Sequence, residues 1–148
     1  MGETVLVRAD LTPRMVDAGR ELVIGLDTRG LGFEAAFWLM DEDNGRWHLV
    51  LSSRAVKFDG SRAQYAAIHK VLLSLRLQND IWIGMISIVG HRTPLIRSLR
   101  EALGPAAAVD GVRLDNAFID GVSLPGCMLY RLSARQKLQP MGSEGSKR

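Results

Sequence analysis

The sequence predicts an α+β (mixed α/β) fold: about five strands, mainly antiparallel, in the order α-β-β-α-β-α-β-β, with helices as cover. Three observations carry this. Apolar runs of strand length alternate with stretches at helical spacing. Neighbouring strands are joined by the hairpin signals Asn44-Gly45 and Asp120-Gly121, which favour antiparallel pairing. Ile81–Val89 reads Ile-Trp-Ile-Gly-Met-Ile-Ser-Ile-Val, bounded by Gln78-Asn79-Asp80 and Gly90. A run apolar on both sides needs cover on both faces, so it is expected in the middle of the sheet.

Thr12-Pro13 starts the first helix, with Thr at the N-cap and Pro where its missing N–H costs nothing. Met15, Ala18, Gly19, Leu22 and Leu26 recur at helical spacing, and Gly30 closes the helix. Gly19 and Gly25 each cost about 1 kcal/mol against alanine and are expected to allow close approach to the sheet. Phe33–Met40 and Trp47–Ser53 form a first hairpin. With a two-residue Asn44-Gly45 turn, Asp43 faces Arg46, Asp41 faces His48, Met40 faces Leu49, Leu39 faces Val50 and Trp38 faces Leu51. Ser61-Arg-Ala-Gln64 is a capping box, and its helix runs to about Leu77 with Ile68, Val71, Leu72 and Leu75 inward. After the apolar strand, Thr93-Pro94 starts a third helix that ends at Gly104-Pro105, with Ile96, Leu99 and Leu103 inward. Val112–Ile119 and Val122–Leu132 close the chain as a hairpin, with Asp120-Gly121 as its turn and Pro125-Gly126 as the rival turn or a bulge.

A chain of 148 residues predicts one domain, residues 12–133. Residues 1–11 read as a flexible N-terminus or an edge strand through Thr4-Val5-Leu6-Val7, and 134–148 as a disordered basic tail. The tail carries Arg135, Lys137, Lys147 and Arg148 against Glu144, which accounts for the whole net charge of +3. The body, with 15 basic and 15 acidic residues, is neutral and lacks the concentrated basic footprint of a nucleic-acid binder. A single cysteine, Cys127, precludes an internal disulfide and favours a reducing, cytoplasmic setting. No signal peptide or membrane-length apolar run is expected.

Ala35–Ser53, the Asn-x-x-Ile-Asp-Gly-Val of Asn116–Val122, and Tyr130-Arg131-Leu132 together resemble a pattern in small bacterial proteins of unknown function. That resemblance implies a bacterial, intracellular origin and no particular activity. The helix-then-hairpin opening is also similar to GAF or profilin-like sensor domains. The third helix departs from the GAF order, and no ligand residue carries over.

The foremost site candidate is Gly90-His91-Arg92-Thr93, where the apolar strand delivers the chain into a helix. Free N–H groups and the helix dipole favour an anion there, with charge from Arg92 and a hydroxyl from Thr93. Arg54 is a further candidate contact. The plainer account is a capped helix with two solvated basic residues. Asp41 and His48 would pair across the hairpin, but spacing places no nucleophile beside them. Asp41-Glu42-Asp43 lacks a calcium-loop pattern, and the three histidines match no ligand motif, so no metal, cofactor or catalytic set is expected. Cys127 reads as a small core residue, and a Trp47 exposed near the hairpin tip would mark a partner surface.

The leading expectation is an accessory or interaction protein without catalytic activity. It would engage a protein partner or itself, as a homodimer through a sheet edge or the first helix. A sensor-like module for a small anion or phosphate ligand is the alternative. A nucleic-acid-associated protein is third, and no membrane role is expected.

Overall fold

The computed structural model describes residues 10–53, 61–104, 109–133 and 138. Its elements are α1 (Pro13–Thr28), β1 (Ala35–Met40), β2 (Trp47–Ser53), α2 (Arg62–Ser74), a 3₁₀ turn at Ile83–Met85, β3 (Ile86–Gly90), α3 (Pro94–Leu103), β4 (Arg113–Ile119) and β5 (Val122–Arg131). The five strands form one sheet in the order β3-β2-β1-β5-β4. All pairings are antiparallel except β2–β3, whose strands run parallel because α2 carries the chain back between them. The α+β class and the order of elements are therefore as the sequence predicts. The expectations for residues 1–9, for Arg54 and for most of the tail concern residues outside the described ones; Leu138, within the stretch read as tail, is buried.

The apolar run at 81–89 is not the middle of the sheet. Its strand portion, β3, lies at the border, and β1 holds the central position. Ile81 is buried, Trp82 is 61% exposed, and Ile83–Met85 form the 3₁₀ turn. The run is thus split between a buried residue, an exposed tryptophan, a turn and a strand, and does not report two-sided cover. β1, Ala-Ala-Phe-Trp-Leu-Met, meets that criterion: all but Leu39 are buried. At the border, Tyr65 of α2 covers part of the open side of β3, its hydroxyl accepting the Ile88 N–H at 2.9 Å.

The first hairpin also differs. Trp38 faces Leu49 and Leu39 faces His48, two residues off the expected pairing. The loop has four residues, not two: the Asp41 N–H bonds the Arg46 carbonyl at 2.8 Å, and the Gly45 N–H bonds the Asp41 carbonyl at 2.8 Å. Gly45 takes positive φ while Asn44 does not, which rules out a type I′ turn. Asp41 and Asn44 fold the loop by accepting the N–H groups of Asp43 (2.8 Å) and Arg46 (2.9 Å). A slip of two residues preserves which face each side chain takes. The closing hairpin turns at Asp120-Gly121, both at positive φ.

α1 and α2 cover one face. Thr12 caps α1 through the Met15 N–H at 3.1 Å, and the Ser61–Gln64 box caps α2. Gly19 lets α1 sit directly on β1 and β5: a Cβ there would fall 2.3 Å from the Tyr130 hydroxyl. Gly25 serves the α1–α2 contact, its Cβ position lying 2.6 Å from Leu75. Beneath them pack Leu22, Leu26, Trp38, Leu49, Leu51, Leu72, Ile88 and Tyr130. Trp47, 4% exposed, belongs to this core and offers no partner surface. A bulge in β5 sets Ala36 opposite Arg131 and Phe37 opposite Leu129, leaving Tyr130 as the extra residue. Tyr130 and Arg131 thereby both reach toward α1. The Tyr130 hydroxyl donates to the Val16 carbonyl (2.5 Å) and accepts from Trp38 Nε1 (2.9 Å). Arg131, 3% exposed, grips both carboxylate oxygens of Asp27 (2.8 and 2.6 Å) and the Phe33 carbonyl.

Among the described residues, α3 is the helix that covers the other face. Ala35, Phe37, Val50, Ile96, Leu99, Cys127 and Leu129 form its smaller core. A ten-residue helix cannot span five strands, so the described residues leave part of this face open.

Candidate functional site

The uncovered part of the α3 face is a cleft of about 440 Å³, within the range of small-molecule sites. Its floor is set by strand alternation: Phe37 and Leu39 of β1, His48 and Val50 of β2, Ser87 and Val89 of β3. Leu95 and Ile96 of α3 wall one side, and the Val122–Pro125 segment of β5 walls the other. Asp41 and Glu42, entering the first hairpin loop, stand at the mouth.

The polar side chains lining this space are Asp41, Glu42, His48, Ser87, Thr93 and Ser123, and of these Asp41 and His48 lie side by side. His48 Nε2 lies 3.9 Å from Asp41 Oδ2, too far for a hydrogen bond, and this ring nitrogen is buried without a hydrogen-bond partner. The longer hairpin loop explains the geometry. Asp41 pairs with Arg46, so His48 sits on the diagonal rather than directly opposite. The pair suspected from sequence thus comes together, by a different register.

The Gly90–Thr93 turn contributes less than its sequence suggests. Thr93 lines the cleft, but its hydroxyl donates to the Gly90 carbonyl at 2.6 Å and makes no cap bond to α3. Arg92 is exposed and lines no part of the cleft; His91 is half-buried, and its buried Nδ1 has no partner. Of the five residues proposed for an anion, only Thr93 faces this cavity, and Arg54 is outside the described residues. The strand feeding the turn is a border strand, so the turn also lacks the mid-sheet setting in which ligand sites commonly form.

Sequence reasoning missed Leu39, Val50, Ser87 and Val89. One signal was present: Ser87 is the one hydroxyl-bearing residue of the 81–89 run, and it falls on the face opposite Ile86 and Ile88. Cys127 lies in the smaller core, and burial pushes its thiol up to about 12, so it stays a thiol at neutral pH. Among the described residues, no group of three His, Cys, Asp or Glu side chains is placed to hold a metal ion, and no helix is long and apolar enough to cross a membrane.

No protein-family model matches the chain, and no curated protein or solved structure matches it.

Proposed function

We propose that this protein is a non-catalytic binding module that takes a small, largely apolar molecule into the cleft between α3 and the sheet. The observation that carries this is the cleft itself, whose lining is mainly apolar, with Asp41 and His48 side by side at one end. Half-buried Leu39, Val89 and Leu95 border it, and covering such surface is worth roughly 25 cal/mol per Å². Binding is favoured over catalysis because a hydrolytic use of Asp41 and His48 needs a hydroxyl hydrogen-bonded to the imidazole. The Thr93 hydroxyl is already committed to the Gly90 carbonyl, and His48 Nε2 bonds no hydroxyl. An accessory role through a protein partner, or through a second copy of the chain, is compatible with this reading.

The test is titration with N-phenyl-1-naphthylamine, a neutral apolar dye that brightens when buried. One saturable site per chain is expected. Val89→Trp, which fills the cleft at a half-exposed position, should abolish the signal while circular dichroism and the thermal midpoint stay close to wild type. Unsaturable binding, or equal binding to a folded Val89→Trp variant, would refute the reading.

A further inference from the structure

We infer that two copies of this chain associate edge to edge through β4, about a two-fold axis at Leu114, so that each copy's Arg113 faces the partner's Asp115 and the two sheets join into one. The inference stands whether or not the cleft takes a ligand.

The backbone decides where. The sheet has two border strands, β3 and β4. On β3 the Tyr65 hydroxyl already accepts the Ile88 N–H. β4 has β5 on one side and, among the described residues, no strand on the other. The Val112 carbonyl accepts the Leu129 N–H at 2.9 Å, so antiparallel alternation assigns the next ladder bonds to Leu114 and Cys127. The N–H and C=O groups of Arg113 and Asp115 then point away from β5, as an incoming strand requires. Asn116, at positive φ, ends this regular stretch: Leu114 and Ala117 both pack on the smaller core, so the alternation resets between them.

Charge decides the partner and the register. Arg113 and Asp115 are exposed and share one face, where they form an ion pair within the chain, Nε to Oδ1 at 3.0 Å. A second copy running antiparallel and centred on Leu114 sets each Arg113 opposite the partner's Asp115. The four charges then form a square in which every nearest neighbour has the opposite sign. Each facing pair also exchanges two backbone hydrogen bonds. On the other face, half-buried Leu114 meets its own counterpart. Sliding the register by two residues puts Arg113 against the partner's Arg113, or Asp115 against the partner's Asp115, with like charges opposed. Sliding it by one sets outward backbone groups against inward ones. A second copy thus supplies the complement of this edge by symmetry. The paired stretch is short, so the dimer is a weak one, smaller in buried surface than stable complexes.

The experiment is sedimentation velocity on the full chain. From about 10 µM to about 1 mM at low salt, the mass should rise from monomer toward dimer, as a small charged interface requires. Arg113→Asp alone and Asp115→Arg alone each set like charges face to face at both pairs. Each should weaken dimerisation at least about tenfold while circular dichroism stays that of wild type. Mixed one to one, the two variants should dimerise with each other at near wild-type strength. Both facing pairs are then again of opposite charge, although neither chain can form its own ion pair, so the recovery reports contact between copies. A wild type that stays monomeric throughout would overturn the inference and leave the edge to a strand of another protein. Single variants that dimerise as wild type does, or a mixture that stays monomeric, would overturn it as well.

Discussion

Arg131 shows what one side chain does in this fold. It is buried in a strand among apolar neighbours, and its guanidinium bridges β5, α1 and the segment before β1 through Asp27 and the Phe33 carbonyl. Removing it leaves a carboxylate and a carbonyl without their donor. Arg131→Ala is expected to cost about 3 kcal/mol in chemical denaturation, at the lower end for a broken buried pair because Asp27 keeps about a third of its side chain in solvent. Arg131→Lys should recover little, since an ammonium cannot reproduce the two-pronged contact. The position is legible in sequence only as a charge flanked by Tyr130 and Leu132. What it pairs with depends on the β5 bulge, and no local pattern announces that. Gly19 is the opposite case: its cost within a helix predicts a close approach, and the approach is to Tyr130 and Trp38.

At the scale of elements, the termini were the most readable features. Thr12-Pro13, Ser61–Gln64 and Asp120-Gly121 encode their own local hydrogen bonds or dihedrals, and each forms as expected. The cap of α2 is therefore a clean test. Ser61→Ala should lower stability by about 1 kcal/mol by thermal unfolding, with no change in dye binding, because α2 lies on the face opposite the cleft. Pairing between elements was less readable. The Asn44-Gly45 signal located the hairpin but not its loop length, because the side chains of Asp41 and Asn44 stabilise a longer reversal that competes with the two-residue turn. The placement of β3 failed for a related reason. An apolar run does not say that all its residues share one sheet position, and here a buried Ile81, an exposed Trp82, a 3₁₀ turn and a border strand share the run.

For the whole molecule, the asymmetry of cover is the governing fact. Among the described residues, two helices cover one face and one short helix covers part of the other, so the cleft follows from the order of elements rather than from any motif. This is why the candidate site was only partly legible: Asp41, His48 and Thr93 attracted notice as polar residues, while the floor residues look like ordinary core. β5 ties the two halves together, sending Tyr130 into the larger core and Cys127 into the smaller. Burial raises both groups, the thiol from 9.0 to about 12 and the phenol above its usual 10.0. A raised acid pKa in the folded state contributes stability that is complete below the unfolded value and is lost as pH rises toward the folded one. Stability is therefore expected to be insensitive to these groups up to about pH 9 and to fall above it, in both layers at once. Urea titrations from pH 8 to 11 check this, with Cys127→Ala expected to flatten the decline.

The hydroxyl of Tyr65 on the Ile88 amide has a consequence for assembly. A neighbouring molecule seeking to extend the sheet past β3 would first have to displace a side chain that already occupies one of the outward-facing donors there. Growth into a ribbon is discouraged on that flank without any charge being spent. On the opposite flank, β4 instead presents Phe118, 72% exposed, near its tip, so among the described residues that edge is the one to watch for sheet-to-sheet contact.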